Sequence, residues 1–408
     1  MTCSTDESID PYKISISSEN PLDDHIKQRF ETGLSALLAD PYFLLLHVPE
    51  NGAKIQIIQP AKDSYHRERM VKRINEAKGV PSFYYALSHL WGISKDDPHL
   101  WEEIGEYVND LDEQPAKPVS MRPEKRDTLL GLLKDHPGSY WWIDVLCART
   151  DTPLDIMGDI YRCCLECVAM IDCEPNLLSN LHTEPNKRKE LLDYDWYLAM
   201  DKPSPEYLLV CKQIYEKYPE LVQHLVKLQQ SEWWNRVWTW QEMALPFGDV
   251  RLMAETGAQQ LESDTITVDD LVNSFINAYD IGVHVNQTND MDAENVDGFK
   301  DIREEWMMET SQARAYSKKR CMDPVDYVYG VLGIFNIEIP RMTDPKAVWR
   351  GFLSELDNYM DTMGIRNEVV HVAGRGNNSY LWTKNKSGAD GRLTTVDPMH
   401  SAQDKDIH

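Results

Sequence analysis

Between residues 83 and 253 short apolar segments alternate with stretches of helical period, and this alternation constrains the fold more than any other feature of the chain. Residues 84–90, 140–146, 167–171 and 250–253 are short and mostly apolar, and are the strand candidates. Strands separated by helical connections pair in parallel and need helices to cover them. An α/β fold built on a parallel sheet is therefore expected here.

The flanks read differently. Residues 25–38 place Ile26, Phe30, Leu34, Leu37 and Leu38 at helical spacing, and residues 42–48 and 55–58 are apolar runs around Pro49, Asn51 and Gly52. That predicts an N-terminal helix and a short hairpin, either an added sheet edge or a separate flap. Between the third and fourth strands, residues 172–231 are rich in charge and proline, with helical periodicity at Leu208, Cys211, Ile214 and Tyr215, and read as a helical insertion. Beyond residue 255, residues 268–278 and 306–316 look helical, residues 282–298 are acidic and Asn-rich, and residues 374–408 lack apolar periodicity. The expected division is an N-terminal extension at 1–79, a core domain at 80–255, a helical region at 256–373 and a disordered tail at 374–408.

Charge excludes several functions. Sixty-seven acidic against 42 basic side chains give a net charge of −25, a surface that repels phosphate backbones and anionic lipid heads. Nucleic acid is therefore not expected as a partner. The longest apolar runs, residues 42–48 and 328–335, fall well short of the roughly 20 residues that span a bilayer, so no membrane span is expected. The polar, acidic residues 1–10 are unlike a secretory signal, which predicts a cytoplasmic protein with reduced thiols. Cys163, Cys164, Cys167 and Cys173 crowd together without paired C-x2-C knuckles, the pattern of buried thiols rather than a zinc site, and no metal is predicted. Phosphate-binding glycine loops, H-E-x-x-H and G-x-S-x-G are all absent, which removes sequence support for most familiar enzyme classes.

Candidate site residues follow from the sheet. In open parallel sheets the ligand crevice lies beyond the carboxyl ends of the strands, which is where Ser88 and Asp144 fall. Ser88 is either a hydroxyl bonded to nearby backbone or a ligand contact; His89 is expected on the opposite face of the strand and is not assigned a catalytic role. Asp144, late in a bulky strand, needs a partner, a ligand or water, and structural pairing and ligand positioning both stand. Residues 233–242 read as one helix in which Asn235, Trp238 and Glu242 share a stripe, while Trp233, Val237 and Trp240 supply core bulk and Arg236 a structural charge partner. Glu166 reads as solvated helix surface. Asp323 caps a helix that Gly333 ends, a structural clamp.

Four segments resemble the fungal heterokaryon incompatibility (HET) family in order and spacing: residues 85–92 (YALSHLWG), 142–147 (WIDVLC), 156–161 (IMGDIY) and 233–242 (WWNRVWTWQE). They carry Tyr85, Leu87, Trp91, Gly92, Trp142, Asp144, Cys147, Tyr161, Arg236, Trp238, Gln241 and Glu242. Residues 320–333 (RCMDPVDYVYGVLG) resemble a segment that commonly follows the domain. One departure stands out: Ala148, Arg149 and Thr150 replace the Ile-Asn-Gln usual after Leu-Cys. The resemblance implies a TIR-like, flavodoxin-like sheet and a role in nonself recognition and programmed cell death. By similarity to TIR domains that cleave NAD, it implies Glu242 as the catalytic carboxylate, with Ser88, Asp144 and Trp238 near the substrate. NAD would then be a substrate, with no resident cofactor. Against that enzyme stand a non-enzymatic module that self-associates or binds a signalling protein, and a degenerate family member that has lost activity.

Overall fold

The computed structural model describes residues 11–92, 99–154, 156–183, 213, 216–257, 265–268, 270–271, 323–335, 337, 339–362, 370–373 and 379–382. The chain forms two compact units. The first comprises Met1–Tyr194, Gln223–Phe275 and Tyr329–Asn336, and the second Asp195–Val222, Ile276–Val328 and Ile337–His408. The periodicity at Leu208, Cys211, Ile214 and Tyr215, the helix expected at 306–316 and the acidic stretch 282–298 lie outside the described residues.

The first unit is organised by one eight-stranded sheet. Its strands are β1 (Leu45–His47), β2 (Ile55–Ile58), β3 (Tyr84–His89), β5 (Val108–Asn109), β7 (Tyr140–Ile143), β8 (Glu166–Ile171), β9 (Val250–Ala254) and β10 (Ile266–Thr267), with β4 (Leu100–Trp101) and β6 (Val119–Ser120) pairing separately. Across the sheet the order is β10-β9-β8-β3-β7-β1-β2-β5. The four central strands β7, β3, β8 and β9 are mutually parallel. Numbered by appearance in the chain, those four run 2-1-3-4, the flavodoxin-like order, in which the strand direction of travel reverses between the first and third. Hence the gap beyond the ends of β3 and β8 is the topological switch point.

These strands are apolar because they are covered on both faces: Tyr84, Ala86, Leu87, Tyr140, Trp141, Val168, Ala169, Met170 and Leu252 are all fully buried. Flanking helices are α1 (Asp24–Ala39), α2 (Ser64–Asn75), α3 (Arg126–Lys134), α4 (Asp144–Cys147), α5 (Ile156–Arg162), α6 (Pro175–Thr183), α7 (Pro219–Gln229), α8 (Thr239–Ala244) and α9 (Asp326–Phe335). The helical period read for α1 is realised, with Phe30, Leu34, Leu37 and Leu38 inward. Tyr85 stacks on Trp141 with centroids 4.7 Å apart, a cross-strand aromatic pair of the kind that fixes register. No described helix is long and apolar enough to cross a membrane.

Several expectations are corrected. One open alternative is decided rather than corrected: the N-terminal hairpin is added to the sheet, β1 pairing antiparallel with β7 through Leu46↔Trp141, so the extension at 1–79 contributes to the same core. The second strand stops at Ile143, and Asp144 opens α4; Asp144 Oδ1 accepts the Val145 N–H at 2.7 Å, a local bond that competes with the ladder. Glu166 is the first residue of β8 rather than helix surface, and pairs with Arg251 at 2.5 Å on the adjacent strand. Residues 233–242 are not one helix. A 3-10 turn at Glu232–Asn235 ends at Arg236, which is extended with φ −81° and ψ 139°, and α8 starts at Thr239. The predicted stripe of Asn235, Trp238 and Glu242 is thereby broken. In the second unit β11 (Val370–Ala373) pairs with β12 (Ser379–Trp382), so these last four residues depart from the expected disordered tail.

Gly333 does not end its helix, which runs on to Phe335. Its value lies in close approach. A Cβ on Gly333 would meet Gly158 Cα at 2.9 Å and Gln241 Oε1 at 2.6 Å, and a Cβ on Gly158 would meet Gly333 Cα at 2.9 Å. Backbone sits on backbone where α5 crosses α9, and Arg162 closes the joint by donating to the Gly333 carbonyl at 2.8 Å. Gly158→Ala or Gly333→Ala should each lower stability by about 1–3 kcal/mol through overpacking, measured by urea unfolding, whereas Gly131→Ala, with open space around it, should not.

Candidate functional site

Ser88, Asp144 and Glu242 lie at the carboxyl ends of β3 and β7. They form two clusters, because successive side chains of β3 point to opposite faces. On one face the Ser88 hydroxyl donates to Glu242 Oε2 and accepts from Trp233 Nε1 at 2.7 Å. Glu242 Oε1 faces the Tyr161 hydroxyl at 3.4 Å, and Tyr161 packs edge-on against Trp142, centroids 5.4 Å apart. Ser88 is 1 % exposed and Glu242 3 % exposed. Burial first, then the neighbouring Glu242 charge, pushes the Tyr161 phenol well above its ordinary pKa, so it remains a donor.

Local sequence explains how Glu242 arrives there. Asp172, immediately after β8, accepts from the Ser231 hydroxyl and from the backbone N–H groups of Glu232 at 3.0 Å and Trp233 at 3.2 Å. Those bonds pin the 3-10 turn above the switch point. Extended Arg236 then reaches across, its guanidinium donating to the His89 carbonyl. The Thr239 hydroxyl bonds the Arg236 carbonyl at 2.7 Å, and Gln241 donates to the Tyr329 carbonyl at 2.8 Å.

On the other face His89 Nε2 lies 3.0 Å from Asp144 Oδ1, outside the angular range of a good hydrogen bond. Trp91 Nε1 donates to Asp144 Oδ2 at 2.5 Å. Lys125, fully buried, donates to the Leu90 carbonyl, lies 3.2 Å from His89 Nδ1 and 3.9 Å from Glu255, whose carboxylate also takes Arg122. Burial, then Lys125, lowers the His89 pKa against the opposing pull of Asp144. His89 Nδ1 also lies 2.9 Å from the Leu90 carbonyl. Burial works against the Asp144 carboxylate, but His89, Arg236 and the Trp91 bond outweigh it and hold its pKa below the usual range. Burial outweighs Glu255 at Lys125 and lowers that ammonium to about 7.

Ser88 and Glu242 are thus directly joined, while Asp144 belongs with His89 and Trp91. Trp238 is half-buried at the start of α8. Cys147 is buried and its thiol pushed up to about 12 by burial, which makes it inert packing. In the segment that departs from the usual Ile-Asn-Gln, Arg149 lies over the Tyr42 ring at 5.2 Å and its amide donates to Thr152 Oγ1 at 2.8 Å. Gly92 has no left-handed backbone; a Cβ there would meet His99 O at 2.5 Å and Met121 N at 2.6 Å, so close packing requires it. Reading the sequence missed Trp233 as the Ser88 donor, Asp172 as the anchor, and Lys125 with Glu255. A lysine inside RPEKRD carries no sign of burial. Among the described residues no group of three or more His, Cys, Asp or Glu is placed to hold a metal.

The cavity enclosed by described residues, about 600 Å³, lies at the opposite end of the sheet, lined by Arg73, Lys78, Tyr85 and His136 among others.

Residues 84–242 match the family model described as heterokaryon incompatibility protein (HET). The chain carries a HET domain. No curated protein and no solved structure matches it. The HET domain opens on the first residue of β3 and closes on Glu242 itself, so the Ser88–Glu242 bond links its two ends. Relative to Lys125→Met, the wild type should gain stability as pH rises from about 7 towards 10.5. The folded lysine releases its proton in that window while the unfolded one keeps it, and the charge-burial cost disappears. Buried thiols and phenols titrate alike in both proteins, so the wild-type minus variant difference, read by urea unfolding at pH 7, 8.5 and 10, isolates Lys125; a flat difference would discard the assignment.

Proposed function

We propose that this HET-domain chain acts in fungal nonself recognition and programmed cell death, in the cytoplasm, as a signalling module that self-associates or binds a partner protein. The observation that carries the non-enzymatic part is the burial of Glu242, held by Ser88 and Tyr161 with 3 % of its surface exposed. A carboxylate so placed does not touch a ribose. Its bonds instead lock the first strand of the domain to its last helix, which is a structural role.

A second reading keeps the enzyme, and a specific observation favours it: Glu242 and Ser88 sit at the switch point, where flavodoxin-like sheets bind ligands. In an opened crest Glu242 would stabilise the oxocarbenium character of the NAD ribose as the C1′–N bond breaks and its electron pair leaves with nicotinamide. Water then bonds to C1′ and gives up a proton, yielding ADP-ribose. Trp238 and Asp144 would border that substrate.

Nicotinamide release from NAD by purified protein, dilute and crowded, compared between wild type and Glu242→Gln at matched folding, separates the two. The module reading expects no release in either condition. Release that Glu242→Gln abolishes would replace it with the enzyme, and release that survives the substitution would place the active carboxylate elsewhere.

A further inference from the structure

The base of the sheet carries a site that neither reading uses. The 600 Å³ cavity there is bounded by the end of α2, the start of β3 and the α3–β7 turn. Tyr85 is its aromatic wall. One face of that ring is stacked on Trp141 at 4.7 Å, with His136 edge-on at 5.7 Å, and Tyr85 stays half-exposed while Tyr84 and Ala86 beside it are fully buried. A stacked, braced ring with part of its surface open is a preorganised platform for a planar group.

Arg73 is the polar wall. It is half-buried, lies over the Tyr140 ring at 5.3 Å and donates to the Gly138 carbonyl at 2.9 Å. The neighbouring carboxylate, Glu50, is taken by Arg69 at 2.5 Å. Arg73 therefore has no carboxylate of its own among the described residues, an expensive state for a half-buried cation that an incoming oxyanion relieves. Lys78, exposed, adds a second cation at the mouth, against one lining carboxylate, Asp135, also exposed. The surrounding sequence is basic too. Arg67, Arg69, Lys72, Arg73 and Lys78 outnumber Glu68 and Glu76 over residues 64–78, in a chain of net charge −25. A local positive field on an acidic protein concentrates small anions at that spot.

We propose that this cavity binds a small planar ring bearing a carboxylate or phosphate, the ring against Tyr85 and the oxyanion on Arg73 with help from Lys78. The site is independent of the crest and of any NAD chemistry there.

Calorimetric titration of the full chain with benzoate and with AMP tests it, with benzamide as the uncharged ring and inorganic phosphate as the ringless anion. At least one of benzoate and AMP is expected to saturate one site, with benzamide and phosphate about tenfold weaker or more, the loss expected when a charge-assisted contact or the stacked ring is missing. The tighter of the two identifies carboxylate or phosphate as the preferred group. Arg73→Met should weaken binding about tenfold and Arg73→Lys less, since a lysine keeps the charge without the fork. Lys78→Glu, at an exposed position that leaves folding intact, should weaken it severalfold. No binding of either anion, benzamide binding as well as benzoate, or unchanged affinity in Lys78→Glu together with Arg73→Met would each overturn the proposal.

Discussion

A carboxyl group buried to within a few per cent of its surface is costly unless it is hydrogen-bonded, and the crest of this sheet is arranged around that requirement at Glu242. Ser88 supplies a hydroxyl from the end of β3, Tyr161 a phenol from α5, and Trp233 completes the Ser88 hydroxyl from the turn that precedes α8. Three separated segments of the HET domain are thereby tied to one group. Removing the carboxylate would leave buried donors unsatisfied at about 1–3 kcal/mol each, so this small constellation is a clasp for the whole domain. The Gly158–Gly333 crossing lies beside it, and Gln241, one residue before Glu242, joins both.

The two ends of the sheet are built on opposite principles. At the crest, polar and charged groups are present in number but turned on each other: Lys125 on Leu90, Glu255 on Arg122, Asp144 on Trp91. At the base, Arg73 and Tyr85 line open space. Ligand crevices in proteins with this strand order are expected at the crest, and there chain placement brings in a bulky side chain. The turn at Glu232–Asn235, pinned by Asp172, brings Trp233 into the switch point and occupies it.

The fold was legible because burial on both faces leaves a plain signature, short and mostly apolar segments at β3, β7, β8 and β9 alternating with helical ones. The hairpin was legible as strands, and as a sheet edge only beside the alternative of a separate flap, since nothing in residues 42–58 states that Leu46 pairs with Trp141. Ser88 and Glu242 stood out as candidates, yet their bond spans 154 positions and no local pattern encodes it. The broken helix at Arg236 was illegible for the same reason. A run of helix-compatible residues is overridden there by the guanidinium bond to the His89 carbonyl and by the Asp172 anchor, both tertiary.

That override bears on what opening the crest would require. The segment from Ser231 to Glu242 is held at its ends and its middle by identifiable bonds, to Asp172, to His89 and to Ser88, with an extended residue at Arg236 between two short helical turns. Such a segment moves as a unit or not at all, because releasing one tether leaves a buried donor or acceptor unpaired while the others hold. A partner, a second copy or a substrate that opens the crest must therefore supply differential binding energy of the order of several such bonds. A ligand that touched only the exposed Trp91 edge, without displacing the Ser88–Glu242 contact, would bind closed and open crests alike and shift nothing.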